Sequence, residues 1–426
     1  MKTALVLAGG GSRGAYQIGV WQALREMNIS FEIVTGTSVG AVNGALIAQN
    51  SFETAQKVWE TIDTKMVFDI EGEASVSSYA REFFRRGGAT SGGLSELLAT
   101  HLDEKAIRIS PIEFGLVTVK KKGLEPCEVY VRDIPEGKLN DYLLASAACF
   151  PAVKGHLIED TEYIDGGYYD NMPVSLARKK GAKRLIVVNL ESVGLTQSSI
   201  PELKQEKDTT YISPSWDLGN FLIFEKNTAK RNMRLGYLDT LKAFSFFDGN
   251  LYTFSKHDFS RLSKNKTLTL KKWKEFFRTH RLKGNLLDLA GYSAMEKALT
   301  STTDQLLTSP VVLEASAETA GKILELNPLT LYTADTFHQA LKEKINTLMS
   351  EKNVLELWQN YEDKKLSPKA EWLKTLDQKT VTLFLALLFG ESPDAVFKVA
   401  PLFPKEAIAA FYLMVFELVQ QKKAVN

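Results

Sequence analysis

The residues in this chain best suited to do chemistry are a serine and an aspartate, each set in a glycine turn. Ser38 stands in Gly36-Thr37-Ser38-Val39-Gly40, directly after the strand-like run Phe31 to Val34. Small residues at helical spacing follow at once: Ala41, Gly44, Ala45 and Ala48. Strand, tight turn and helix in that order make Gly-x-Ser-x-Gly a nucleophile elbow, in which the serine oxygen is thrust clear of the sheet. Gly36 and Gly40 leave room where the two backbones nearly touch. The helix N-terminus behind Ser38 favours negative charge developing there. The chemistry open to such a serine is nucleophilic attack on a carbonyl.

An attacking serine needs a base and a home for the oxyanion. The strand-like Glu162-Tyr163-Ile164 delivers Asp165 to the turn Gly166-Gly167. An aspartate has an ordinary pKa near ~3.9, too acidic for an efficient base at neutral pH. Burial among Tyr163, Ile164 and Tyr168 would raise it. Asp160 and Asp170 stand nearby without the glycine turn, and His156 offers the alternative of a triad, since histidine is the usual base. For the oxyanion there is Gly9-Gly10-Gly11-Ser12-Arg13-Gly14, between a buried strand at Ala4 to Ala8 and a helix from Ala15 to about Met27. Bare backbone N–H groups at a helix N-terminus bind anions, and beside an elbow serine that anion is the tetrahedral oxyanion of acyl transfer. Arg13 can brace this loop or add to its field. The same glycines spell G-x-G-x-x-G, the dinucleotide fingerprint, which calls for an acidic residue closing the second strand. That strand ends in Thr35-Gly36-Thr37-Ser38, with Glu32 at its beginning, so the nucleotide reading is set aside.

The elements that must position these residues alternate. Strands and helices succeed one another from residue 1 to about 190, which argues for an α/β sandwich around a mostly parallel sheet. Phe52 to Ile62 and Leu94 to Leu102 read as helices, and the polar, glycine-containing stretch Glu71 to Gly93 as a flap over the site. Leu139 to Cys149 is a short helix stopped by Phe150-Pro151. Past about residue 245 helical periodicity takes over, in Thr319 to Leu326, Thr336 to Met349, Trp372 to Leu388 and Lys405 to Gln421. The expected division is a catalytic domain over 1–245 and a mostly helical domain or lid over 246–426. With 426 residues, 44% hydrophobic and 24% charged, the chain has ordinary globular composition and room for more than one core. Cys127 and Cys149 cannot staple a protein of this size, and five scattered histidines make no zinc-type cluster. Ala4 to Ala8 is too short for a signal-peptide core, and no apolar run reaches the roughly 18 residues of a membrane span. A cytoplasmic or peripheral membrane location is expected.

Together the glycine loop Gly9 to Gly14, the elbow Gly36 to Gly40 and the turn Asp165-Gly166-Gly167 resemble the patatin-like phospholipase family. Ala145-Ser146-Ala147-Ala148-Cys149-Phe150-Pro151, and Asn171 with Pro173, also look like family sequence. The resemblance reaches to about residue 245, since Ile212-Ser213-Pro214-Ser215 resembles the domain's tail. It implies a three-layer αβα sandwich and a Ser–Asp dyad without histidine. Ser38 would attack the ester carbonyl and Asp165 would take its proton. Gly10 and Gly11, with neighbouring N–H groups of the Gly9 to Gly14 loop, would hold the oxyanion. The implied function is a lipid acyl hydrolase of phospholipase A or lysophospholipase type, acting on a phospholipid or related ester with no metal or organic cofactor. Acyl transfer to an acceptor other than water would use the same dyad. An idle module that binds lipid or a partner is the alternative from another class, and the intact dyad and loop argue against it.

One further segment is unusual. From Lys256 to Lys283 there are ten Lys or Arg against two acidic residues. Trp273, Phe276, Phe277 and His280 recur at helical spacing, with Lys271, Lys272, Lys274, Arg278 and Arg281 around them. A basic helix with an aromatic face suits peripheral contact with an anionic membrane; a core-packed face with solvated lysines is the plainer alternative. Nucleic acid could use the same charge, but no reading motif accompanies it, and it is not expected as a partner.

Overall fold

The computed structural model describes residues 1–70, 75–266, 271, 286–301, 308–350, 352–362 and 373–419. They form two compact units, Met1–Phe246 and Phe247–Asn426.

The first unit is built on a sheet of β1 (Lys2–Leu7), β2 (Ile33–Thr37), β3 (Glu113–Lys120), β4 (Glu125–Tyr130), β5 (His156–Ile158), β6 (Thr161–Asp165), β7 (Ala182–Val188) and β8 (Thr209–Ile212). The strand order is β5-β6-β3-β2-β1-β7-β8, with β4 also paired to β3. The centre is parallel: β1 lies between β2 and β7, β2 pairs with β3, and β7 with β8. The remaining pairs, β3 with β4, β3 with β6 and β5 with β6, are antiparallel. β3 is where the site is assembled. β4 occupies one edge of it over Gly115–Lys120, so β2 and β6 share the other. Thr37 at the end of β2 faces Val117, and Asp165 at the end of β6 faces Thr118. Two strands distant in sequence therefore end on consecutive residues of a third, about 3.3 Å apart along it.

Ten helices surround the sheet: α1 (Ala15–Glu26), α2 (Val39–Ala48), α3 (Phe52–Thr61), α4 (Val76–Arg86), α5 (Gly92–His101), α6 (Glu104–Ile109), α7 (Leu139–Ser146), α8 (Val174–Lys179), α9 (Ile200–Gln205) and α10 (Lys226–Ala243). Ala4, Val6 and Ala8 share a core with Val174 and Ala177 of α8 and Leu203 of α9. Leu5 alternates to the opposite face, beside Val34, where Gly44 of α2 packs against Val34 and Phe114. Helices thus cover both faces, and β2 and, beyond Lys2, β1 are buried, as the centre of a parallel sheet requires. α1 and α10 cross at glycines. A Cβ on Gly19 would lie 1.8 Å from the Met233 carbonyl oxygen, and one on Gly236 would lie 2.0 Å from that of Tyr16.

The stretch expected as a flap is anchored by part of its described length, while Phe84 to Gly87 are exposed. α4 buries Tyr79, whose ring meets Phe68 edge-on and whose hydroxyl donates to the Leu222 carbonyl. Ala89 bridges to Val153. The apolar positions of an amphipathic helix outweigh the polar composition that suggested mobility.

In the second unit, helices Ser309–Ile323, Ala334–Ser350, Gln378–Glu391 and Pro404–Val415 accompany a small parallel pair, Thr253–Phe254 with Leu331–Tyr332. Two-residue strands carry no periodic signal, and nothing in the sequence announced them. Their aromatic side chains meet Tyr252, Phe259 and Phe337 mostly edge-to-face, with centroids as close as 4.8 Å. No helix among the described residues is long and apolar enough to cross a membrane. Of the basic segment, Lys271 is exposed. Lys272, Trp273, Lys274, Phe276, Phe277, Arg278, His280 and Arg281 lie outside the described residues.

Candidate active site

Ser38 joins β2 to α2 with φ 56° and ψ −127°, a left-handed conformation that costs a non-glycine residue about 1–3 kcal/mol. The surroundings impose it. A Cβ on Gly36 would lie 2.2 Å from the Gly40 carbonyl oxygen, and one on Gly40 would lie 2.3 Å from that of Leu7. The Ser38 N–H donates to Ser146 Oγ at 2.9 Å, and that hydroxyl donates to the Val117 carbonyl at 2.7 Å. α7 and β3 together therefore hold the turn from behind.

Asp165 closes β6, its own N–H donating to the Ala148 carbonyl at 2.9 Å. Its carboxyl accepts from the Gly167 N–H at 2.8 Å. Burial pushes its pKa up to about 6, against the opposing pull of hydrogen bonds from the Ser38 hydroxyl and the Gly167 N–H. The rival groups are engaged elsewhere. Asp170 is buried, which also raises it to about 6. It accepts from the N–H groups of Met172 and Gln197 and from Ser175 Oγ. Asp160 is exposed on the turn between β5 and β6. His156 shares a hydrogen bond with Asp141 at 3.1 Å, and neither it nor Asp170 lines the cavity that contains Ser38.

The glycine loop is more selective than its sequence suggested. The Gly9 N–H donates to the Asn171 carbonyl, Ser12 to that of Phe221 and Arg13 to that of Gly10. Gly14 packs under Val39 and Trp59. Of the six loop residues expected at the oxyanion, Gly10 and Gly11 line the cavity, and their N–H groups meet no acceptor among the described residues. Gly11 has φ 53°, and a Cβ there would lie 2.1 Å from the Phe221 carbonyl oxygen. Arg13 braces the loop. Its Nε donates to the Gly219 carbonyl and its Nη1 to those of Leu190 and Glu191. Asn171 ties the loop to the Asp165 turn, with Nδ2 donating to the Gly9 carbonyl at 3.3 Å and Oδ1 against Gly167.

Ser38, Asp165, Gly10 and Gly11 border one cavity of about 540 Å³, an ordinary size for a small-molecule site. Its wall is apolar, including Val42, Leu46, Trp59, Ile62, Phe68 and Leu98. Val39, Val42 and Leu46 form one face of α2, so the cavity runs along that helix away from Ser38. At the far end Gln49 donates to the His101 carbonyl and accepts from the Asp103 N–H, closing α2 onto the end of α5. Sequence reading singled out none of these wall residues. They come from α2, α3, α5 and the loop at 62–68, joined in the wall by loops at 147–152, 192–195 and 221–224, and no local pattern links them. Cys149 also lines the cavity, and burial pushes its thiol up to about 12. Among the described residues no three His, Cys, Asp or Glu side chains gather as metal ligands.

Residues 5–178 match the family model of patatin-like phospholipases. The chain is 29% identical over 201 residues to patatin-like phospholipase domain-containing protein 7 of Rattus norvegicus, covering 44% of this chain and 14% of that protein. To patatin-like phospholipase domain-containing protein 6 of Homo sapiens it is 30% identical over 206 residues, covering 46% and 14%. To lysophospholipase NTE1 of Mycosarcoma maydis it is 28% identical over 200 residues, covering 45% and 10%. The matched stretch thus spans 14% of the length of the first two of these relatives. Among solved structures, VipD of Legionella pneumophila aligns over 99% of this chain and 92% of its own, with TM-score 0.38 and 13% identity.

Proposed function

We propose that this chain, whose residues 5–178 match the patatin-like phospholipase family model, hydrolyses carboxylic esters of long-chain lipids through Ser38 and Asp165. The observation that carries the reading is their meeting at one end of an apolar cavity, beside two N–H groups without acceptors. Ser38 Oγ attacks the ester carbonyl carbon while Asp165 takes the hydroxyl proton. The carbonyl electron pair moves to oxygen, and the Gly10 and Gly11 N–H groups receive that oxyanion. Collapse expels the alcohol, which recovers the proton from Asp165 and leaves the acyl group on Ser38. Water, deprotonated by Asp165, then attacks the acyl-serine. Ser38 regains its proton and the fatty acid departs. A pKa of about 6 leaves Asp165 ionised yet basic enough to serve near neutrality.

The cavity's shape favours an acyl chain as the group held. From Ser38 to Leu46, the last residue of α2 that lines the cavity, is roughly 12 Å at about 1.5 Å per residue. One leaflet of a bilayer, half of a hydrocarbon core about 30 Å thick, is of comparable length. The lysophospholipase name of one relative points to the same substrate class. The test is a panel of monoacyl and diacyl lipids with released fatty acid read by mass, run on parent and Ser38→Ala. The expected result is release by the parent, none by the variant, and organophosphonate adduct mass on Ser38 alone. Labelling of another serine, or release by the variant, overturns the assignment.

A further inference from the structure

Three large apolar side chains on the first unit face water together: Val193 at 91% exposed, Leu195 at 62% and Tyr168 at 40%. Singly exposed apolar residues are common and need no explanation, but these three stand around the mouth of the one cavity that holds Ser38. The loop that presents two of them is fixed. The Leu195 N–H donates to the Gly167 carbonyl, the Leu195 carbonyl accepts from Asn171, and Ser192 Oγ donates to the Gly9 carbonyl. Val193 and Leu195 therefore project from a braced support with no packing role of their own. Beside them the Tyr168 hydroxyl donates to the Phe150 carbonyl. The Phe150 ring carries the Lys121 ammonium 4.4 Å from its centroid. Lys121 pairs with Glu162, while Lys122 is exposed next to it and Lys154 is half-buried. The apolar rim is thus continuous with a flank that carries Lys121, Lys122 and Lys154, with Glu162 and the exposed Glu191 as acidic groups beside it.

We infer that this rim docks on a lipid bilayer bearing anionic head groups, with Val193, Leu195 and Tyr168 entering the boundary between head groups and acyl chains. The inference rests on reading the cavity as an acyl-chain site. A chain drawn from a bilayer into an apolar cavity crosses water unless the cavity mouth touches the bilayer, and only an apolar mouth can make that contact without a desolvation penalty. Insertion strength scales with the apolar area buried and with attraction to anionic lipid, and the rim with its lysine flank offers both. The side chains that sit best at such a boundary are those with an apolar body and a polar tip, as Tyr168 has.

Docking is measured in the Ser38→Ala background, so that no turnover is needed and failure of the hydrolase reading is scored separately by the lipid panel. Vesicles of phosphatidylcholine, alone or equimolar with phosphatidylglycerol, are sedimented with the full chain. Binding of the combined Val193→Asp, Leu195→Asp variant to the mixed vesicles should be about tenfold weaker or worse. The combined Val193→Ser, Leu195→Ser variant, which keeps the loop uncharged, should fall between it and the parent. Lys122→Gln with Lys154→Gln should weaken binding to mixed vesicles at low salt only. A tryptophan introduced as Val193→Trp should shift its emission to the blue on adding vesicles and be quenched by brominated acyl chains. Equal binding of parent and aspartate variant overturns the inference, as does failure of the parent to bind either vesicle. A blue shift that follows protein concentration without lipid also overturns it, since it would mark a rim that pairs with a second copy.

Discussion

Asp165 and Asp170 stand at the two ends of one short turn, and burial raises both to about 6. Their surroundings differ in kind. Asp170 is saturated, with two backbone N–H groups on one oxygen and a serine hydroxyl near the other. Asp165 has one backbone donor and turns toward Ser38 and the cavity. A perturbed carboxyl is thus a weak marker of chemistry when taken alone. What separates the two is the unfilled hydrogen-bonding capacity that Asp165 presents to a space large enough for substrate.

The sharpest way to break this comparison is to neutralise each carboxyl in turn. Asp165→Asn keeps the size and the acceptor for Gly167 but takes no proton, so kcat/KM for ester hydrolysis should fall about 10²–10⁴-fold. Asp170→Asn can keep all three of its partners, with the amide donating to Ser175, and activity should change no more than about threefold. The reverse ranking would sink the dyad. An equally large loss on His156→Ala would instead favour a triad.

A smaller effect is expected at Ser146, which touches neither carboxyl but holds the Ser38 N–H. Ser146→Ala leaves that buried donor unpaired, at a cost of about 1–3 kcal/mol in stability. It should lower kcat roughly ten- to a hundredfold through misplacement of Ser38. Rescue by Thr, which restores the hydroxyl, distinguishes positioning from loss of packing.

The pH profile refines the contrast further. Asp165 must be ionised to accept a proton, so kcat/KM should rise through pH about 6 and level off above it. Asp170→Asn should leave that inflection in place, and its disappearance there would transfer the role. Stability runs the other way. A carboxyl whose folded pKa lies above its unfolded value binds more protons when folded, so stability is lost as pH rises between about 4 and about 6. Asp165→Asn should remove that loss and melt higher at pH 7, by at most about 3 kcal/mol. This is the smallest and most easily masked of the effects.

How much could be read from sequence follows from the range over which each feature is written. The glycine turns around Ser38 and Asp165 are local, because a backbone that must pass within van der Waals contact of its neighbour can be glycine only, and both turns lie on the cavity in the structure. The alternation of strands and helices that makes the α/β sandwich is local too. What occupies the neighbouring N–H groups of Gly9 and Ser12 was not legible, since Asn171 and Phe221 lie far along the chain. Nor was the packing of α4, where a polar and glycine-bearing composition concealed a helix with Tyr79 on its buried face. The cavity wall was out of reach for the same reason: segments far apart in the chain, from α2 to the loop at 221–224, converge on it.

The clamp on the glycine loop sets the length of the smallest self-sufficient fragment. The match to the family model stops at residue 178, yet Ser12 and Arg13 are gripped by carbonyls of Gly219, Asn220 and Phe221. The stretch just before them is held by α10, with Arg231 donating to the Asp217 carbonyl and Asn232 to that of Leu218, and the glycine crossing of α10 with α1 lies further on. A polypeptide cut where the matching ends would release the loop it needs most. On the proposed function, a growing chain should gain activity only once the carbonyls of Gly219, Asn220 and Phe221 have emerged to grip the loop.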